Sequence, residues 1–359
     1  MRERQARAAR WIRDWDALGS HRTGTAGDQA GAAWLASEVT ALGATPTLER
    51  FPVNRIDSVA CWVSCNGKRI EGVPVFDAPP TSPDGVTGAI AVRTLSPWAV
   101  YTPAYREFRS AADHTGLVIV CEGAAPGLAL LNAEHFLSPY GAPAIHVAES
   151  LPSPPDRIVS HYERTSVEAC NIVVTIAGRD RTRPPVVVMT PRSSWWQSAS
   201  ERGGGLVCWL ETLRSLLTAQ PACDVVMTAN SGHELGHLGL DAFLARRPGW
   251  DRANGAVWLH FGANIGAAGG TLSLQSADEP LRTAMQSQIG SELVMAPLSQ
   301  IPNGETRDIH RLGGRYITLV GTNRLFHLPD DRWPDAVDVP AIARTAKAAA
   351  AMARGWTSA

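Results

Sequence analysis

The sequence has almost no net charge, few aromatic residues and no long apolar run. Lys and Arg number 33 against 34 Asp and Glu in 359 residues, so the charge balance calls for no polyanionic partner. No basic block with interleaved aromatics is present, which sets nucleic acid aside. No apolar stretch reaches the roughly 18 residues that a membrane-spanning helix needs, so no membrane association is expected. The first residues, "MRERQARAARWIRDWDALGS", are charged and helix-like. They lack the apolar core and small-residue cleavage site of a secretory leader, and a cytoplasmic location is the expectation. Cysteine is sparse: Cys61, Cys65, Cys121, Cys170, Cys208 and Cys223 lie scattered through apolar contexts. Cys61 and Cys65 have no matching second pair, so reduced, buried thiols are expected in place of a cysteine zinc site.

What is present is an ordinary globular balance, 45% hydrophobic and 19% charged, enough for one large or two modest domains. Helical spacing is read over residues 3–18 and 28–43, the second with Ala32, Leu35, Val39 and Leu42 on one face and Gly43 as a stop. From about residue 56 the texture changes to short strand-like runs between turns: "GAIAVRTL", "TGLVIVCEG" and "GAPAIHVAES". The Pro-rich "ESLPSPPDR" closes them. Three segments follow: 1–55, a β-rich insert at 56–165, and 166–359. In the last, the apolar runs "PPVVVMT", "CDVVMTANS", "GAVWLHFG" and "RYITLVGT" alternate with the helical "GGGLVCWLETLRSLL" and "LGLDAFLARR", before a helix-forming tail. That alternation predicts an α/β fold, a mixed, largely parallel sheet flanked by helices. Chemistry in such sheets gathers at the carboxyl ends of strands, here the loops after Met189, Asn230 and Leu259 and near Gly304.

One of those loops holds "SGHELGHLGLDAF", in which His233, Glu234 and His237 match the H-E-x-x-H pattern. On a helix the two histidines would share a face and bind zinc while Glu234 activates water. Gly232, Gly236 and Gly239 make the segment a poor helix interior, and a buried strand ends just before it. A tight loop is the preferred reading.

Over nearly its whole length the chain resembles the co-catalytic zinc aminopeptidases (peptidase family twenty-eight), with glutamate carboxypeptidase, glutaminyl cyclase and transferrin receptor relatives. "GSHRTGTAGDQAGAAWLASEVTALG" is similar to the family's G-x-R-x-x-G-T loop and helix, and "SASERGGGLVCWLE" to its metal-bridging loop. "SGHELGHLGLDAF" is similar to its acidic pair, and "FHLPDDRWPDAVD" to its closing segment. Residues 56–165 resemble the protease-associated domain of some members. The resemblance implies two zinc ions on five side chains, but the matching positions depart from that set. Pro191 stands for the first histidine, Glu201 for the bridging aspartate, His233 for the general-base glutamate, His260 for an aspartate and Arg307 for the last histidine. Glu234 alone is kept. Proline offers no ligand atom and arginine brings a fixed charge, so a second dication is not expected.

The residues gained are imidazoles and carboxylates, the ligand types zinc accepts. The resulting expectation is a metal-dependent hydrolase cleaving an amide or related carbonyl bond of a small molecule or short peptide. One zinc ion, with manganese as the alternative, would be held by Glu201, Glu234, His237 and His260. His233 would be the base and Arg307 the substrate anchor. Arg307 could equally pair with Glu305 or Asp308. His327 reads as a loop-orienting residue, His310 as pocket-lining, and Trp195 and Trp196 as walls of a cleft. The competing readings are a non-catalytic binding or assembly protein, a metal-free pocket of hydrogen-bonded histidines, and a one-metal lyase or cyclase. Substrate identity and oligomeric state stay open.

Overall fold

The computed structural model describes residues 1–121, 127–218, 220–290 and 293–358. Glu122 and Gly123, the end of the expected "TGLVIVCEG" run, lie outside them. Strands Val186–Pro191 and Val225–Asn230 are buried at every position, as continuous β-branched runs should be at the centre of a covered sheet. They pair in parallel from Val225↔Val186 to Asn230↔Pro191. Val257–Phe261 joins the other side of Val186–Pro191, and Arg315–Gly321 joins it in turn, again in parallel. Antiparallel neighbours extend both flanks into a ten-stranded mixed sheet among the described residues. The α/β architecture expected from the strand–helix alternation is the one adopted. Carboxyl ends of the four parallel strands therefore open on the same edge.

Helices cover both faces. On one, Trp11 and Trp15 of Arg2–Asp16 pack with Leu206, Leu210 and Leu213 of Ala199–Leu216 and with Ile342 and Ala346 of the final helix, Val339–Ser358. On the other, Leu240, Phe243 and Ile309 pack on Trp258 and Tyr316. Helix Ala199–Leu216 packs deep because Gly203, Gly204 and Gly205 follow its first turn. A Cβ on Gly204 would stand 1.8 Å from the carbonyl oxygen of Ile265, and one on Gly203 would stand 2.9 Å from the side chain of Ile12. No described helix is long and apolar enough to cross a membrane. All six cysteines are free and buried.

The β-rich run expected at "ACNIVVTIAG" is the end of a much longer strand, and the strand it pairs with escapes the sequence reading. Thr47–Cys65 and Arg157–Ile176 form one long antiparallel ladder, from Thr47↔Val173 to Ser64↔Arg157, with a register shift between Ser58 and Ala60. Its inner end is hydrogen-bonded to Val225–Asn230. Beyond its outer part sits a second, four-stranded sheet of Val73–Pro74, Ala144–Val147, Gly116–Cys121 and Ile90–Leu95. The segment boundaries expected at 55/56 and 165/166 fall inside the ladder, so this unit is joined by continuous strands and not by linkers.

Candidate metal centre

Strand Val225–Asn230 ends directly above helix Ala199–Leu216, and the segment after it is not helical through H-E-x-x-H. His233–Leu235 form a single 3-10 turn, and regular helix begins only at Leu238. Gly232, Gly236 and His237 all have positive φ, 79°, 73° and 63°. The helical zinc-protease geometry is therefore absent. The left-handed residues instead fold the chain back so that the His233 and His237 rings lie 5.2 Å apart. At Gly236 a Cβ would meet the carbonyl oxygen of Glu134 at 3.0 Å, so the reversal also depends on glycine for space.

The ionisable side chains sort into two adjacent groups. In the first, Arg202 is the hub. Its Nη2 donates to Glu234 Oε1 at 2.6 Å and lies 2.9 Å from Glu201 Oε1, and its Nε donates to the Ser193 carbonyl at 2.6 Å. The Ser193 hydroxyl donates to Glu234 Oε2 at 2.7 Å, and the Ser198 hydroxyl donates to Glu201 Oε2 at 3.0 Å. His327 brings Nε2 to 3.4 Å from Glu201 Oε1, while its Nδ1 sits 2.5 Å from the Leu130 carbonyl. Asp331 fixes the base of this group by capping the helix: the Ser200 and Glu201 amides donate to its carboxylate at 2.8 and 2.9 Å. Burial pushes the Glu201 carboxyl up, but Arg202 and then His327 outweigh it and bring it down to about 2.

Glu305 is the hub of the second group. His233 Nδ1 stands 3.0 Å from its Oε1 and His260 Nε2 3.1 Å from its Oε2. Neither approach has the direction of a hydrogen bond, so all four of these atoms stay buried and unpartnered, as does His237 Nε2. The other nitrogen of His237, Nδ1, lies 2.6 Å from Asp308 Oδ2. His233, His237 and Glu305 offer ligand atoms that all lie within 4.8 Å of one another. Burial works against the Glu305 carboxylate, yet the two flanking histidines overcome it and hold the carboxyl well below the ordinary range. Burial also lowers His260, keeping that imidazole neutral. For His237 burial acts in the same direction, but its bond to Asp308 and the nearby Glu305 outweigh it and raise the group.

This partition corrects the expected ligand set. Glu201, Glu234, His237 and His260 do not converge on one point. The two glutamates are engaged by Arg202, and the two histidines face Glu305. The sequence analysis did not mark Arg202, and named Glu305 only as a pairing partner for Arg307. The available signals were a charged residue directly before three glycines in "SERGGG", and an acid beside Gly304, in a loop already marked for chemistry. His233, expected as a base, sits against Glu305. Arg307 pairs with neither Glu305 nor Asp308; its Nη2 donates to Glu134, and its guanidinium lies over the Tyr101 ring. His310 lies 3.0 Å from the Tyr316 hydroxyl. Trp195 and Trp196 wall a separate hollow of about 230 Å³ with Phe76 and Leu130.

Above the second group lies a cleft of about 580 Å³. His237, Arg307 and Asp308 form its inner wall, and Tyr101, Tyr140 and Glu134, from the segment that carries the second sheet, form its outer wall. Both walls are rich in polar and charged groups.

No family model and no curated protein matches the chain by sequence. Solved structures do match. A zinc aminopeptidase from Bacillus subtilis superposes with a TM-score of 0.76 at 17% identity, over 97% of this chain and 94% of that one. An aminopeptidase from an Aneurinibacillus species gives 0.71 at 11% identity, over 98% and 92%. A peptidase precursor from Shewanella amazonensis gives 0.69 at 15% identity, over 100% and 96%. The chain thus has the zinc-aminopeptidase fold.

Proposed function

We propose that this chain is a metal-dependent hydrolase that cleaves an amide bond of a small molecule or short peptide, with one ion held by His233, His237 and Glu305. One observation carries the reading. His237 Nε2 is buried with no hydrogen-bond partner, and beside it His233 Nδ1 and His260 Nε2 meet the two Glu305 oxygens at 3.0 and 3.1 Å without the direction of a hydrogen bond, although buried polar groups are almost always paired. The donor set fits a metal: imidazole and carboxylate suit zinc, and the predominance of imidazole favours it over manganese. Asp308 supplies the outer carboxylate that fixes the tautomer and orientation of a ligating histidine. The zinc aminopeptidase that shares this fold supports the choice of metal.

Bound there, a zinc-type ion would polarise the scissile carbonyl and acidify water. The chain's own groups do the rest. Asp308 orients His237, and Glu305 is kept ionised by its histidine neighbours. The Arg307–Glu134 pair spans the two walls of the cleft and presents a guanidinium edge to a substrate carboxylate or carbonyl. The unit at 56–165, read as a protease-associated-like domain, supplies the outer wall of the cleft. Free, buried thiols suit a reducing compartment such as the cytoplasm.

Elemental analysis of protein dialysed without chelator tests this reading. One equivalent of zinc is expected, retained in Glu134→Gln and lost in Glu305→Gln and His233→Ala. Hydrolysis of a panel of amino-acyl anilides should fall with the metal. No metal after reconstitution would overturn it. The outcome would then favour a non-catalytic binding protein, a reading supported by the way Arg202 already satisfies Glu234.

A further inference from the structure

We infer that the cleft above the Glu305 group takes a zwitterion, a free peptide of dipeptide size, and that Arg106 reads its terminal carboxylate. The inference deepens the proposed function and rests on it for the position of the scissile bond.

The charges that line the cleft divide into those already balanced and those that are not. Arg307 of the inner wall is paired with Glu134 of the outer wall. Arg311 lies 3.3 Å from Asp308, which also holds His237. Asp77 is taken by the fully buried Arg109. Two charged lining groups remain, Arg106 and Asp241. Both are exposed, and among the described residues neither side chain makes an ion pair or a hydrogen bond. They stand on opposite walls. Arg106 belongs to helix Pro103–Ser110, in the segment that carries the second sheet, and Asp241 to helix Leu238–Ala245 of the core. An unbalanced cation on one wall and an unbalanced anion on the other are complementary to a ligand that carries both charges.

Each group is held in place by its element. Arg109, one turn after Arg106, donates to Asp77 Oδ1 and to the Tyr105 hydroxyl, both at 2.8 Å, and to the carbonyls of Asp77 and Tyr140 at 3.1 and 3.0 Å. Those bonds anchor the helix that presents Arg106. The Asp241 amide donates to the His237 carbonyl at 3.1 Å, so this residue stands one helical turn from a proposed ligand of the ion. A peptide with its amine at Asp241 thus begins beside the Glu305 group and ends across the cleft at Arg106. There a carboxylate meets a guanidinium that has no partner within the chain, and the charge-assisted fork is the strong form of such a bond. Arg307, already balanced by Glu134, is left for the carbonyl. The cleft, about 580 Å³, has the volume of a small-molecule site.

Calorimetric titration of the full chain with alanyl-alanine, alanyl-alaninamide and N-acetyl-alanyl-alanine tests this, in chelator so that nothing is cleaved. Wild type should bind the free dipeptide about 10-fold or more tighter than either blocked form, the value of one hydrogen bond to a charged group. Arg106→Ala should bring the dipeptide down to the affinity of its amide, and Arg106→Lys should restore part of the difference. Asp241→Asn should erase only the advantage over the N-acetyl form. Equal binding of all three by wild type, a loss in the variants that falls equally on all three, or no binding of the dipeptide in chelator or in zinc overturns the inference. The two readings fail separately. Selective binding with no cleavage by the zinc-loaded chain keeps this inference and sinks the hydrolase; cleavage of the dipeptide and its amide at equal kcat/KM does the reverse.

Discussion

Acid should unfold this protein through histidines that have nothing to do with the proposed metal centre, and His146 is the cleanest case. It lies on a strand buried at every position, Ala144–Val147, with Nδ1 3.3 Å from the Pro74 carbonyl and Nε2 unpartnered. Burial drives its pKa from 6.5 down to about 3. The folded-state value is depressed, so the folded chain refuses a proton that the unfolded chain accepts. Stability is full above pH 6.5 and drains away as pH falls towards 3. The slope in that window is about 1.4 kcal/mol per pH unit for one such group. Between pH 7 and pH 5 the loss is about 2 kcal/mol. In His146→Leu that loss disappears, although the variant starts about 1 kcal/mol lower because the Pro74 carbonyl loses its donor. Urea denaturation followed by circular dichroism at the two pH values measures both stabilities. The wild-type advantage should shrink and reverse between pH 7 and pH 5. A difference that stays constant would show that His146 is protonated in the fold, and would refute the reasoning.

Asp308→Asn should leave the fold intact and weaken zinc binding by about 10–100-fold, because His237 loses the carboxylate that orients it; competition with a chromophoric chelator reads this directly, and unchanged affinity would remove Asp308 from the site. Gly204→Ala should cost at least the ~1–3 kcal/mol of an overpacked core, since its Cβ would meet backbone and not a yielding side chain; a wild-type urea midpoint would mean that the loop ending at Ile265 is free to shift. Asp77→Ala should destabilise the second sheet by ~3–5 kcal/mol by stranding Arg109, whose side chain is fully buried beside Asp77 and Tyr105. A thermal melt unchanged from wild type would contradict that.

Much of the core could be read from the chain, and the physical reason is visible in particular segments. "PPVVVMT" and "CDVVMTANS" are β-branched runs with nowhere to go but a covered sheet, and the helix expected at 28–43 forms at Ala26–Ala41, set by the Thr25 cap. The long ladder was illegible because Thr47–Cys65 carries Pro52, Asn54 and Asp57, which usually end a strand. Pro52 is tolerated where the strand is bonded on one side only; its second neighbour joins at Trp62. The site was legible as a neighbourhood and not as a network. His233, Glu234, His237, His260 and Glu201 do gather at the strand ends. Which of them meet depends on a single long side chain, Arg202, turning inward from the first turn of its helix. Sequence spacing fixes no such direction. Glu305 was overlooked as a site residue for a related reason: its partners come from a distant turn, His233, and a distant strand, His260, and nothing nearby in sequence announces them.

The ladder that carries the second sheet has a mechanical consequence. Arg157–Ile176 has 20 residues, about 65 Å of strand at the usual rise. One end of it is hydrogen-bonded into the sheet beside the strand that delivers His233 and Glu234; the other supports the outer wall of the cleft. The wall is a cantilever, without a hinge to swing on. Its stiffness is that of paired backbone, relieved at one built-in bend, the register shift at Ser58 and Ala60. Pressure from a substrate on the outer wall would be felt as torque at the loop that carries His233 and His237, so cleft width and the placing of those side chains form one elastic body.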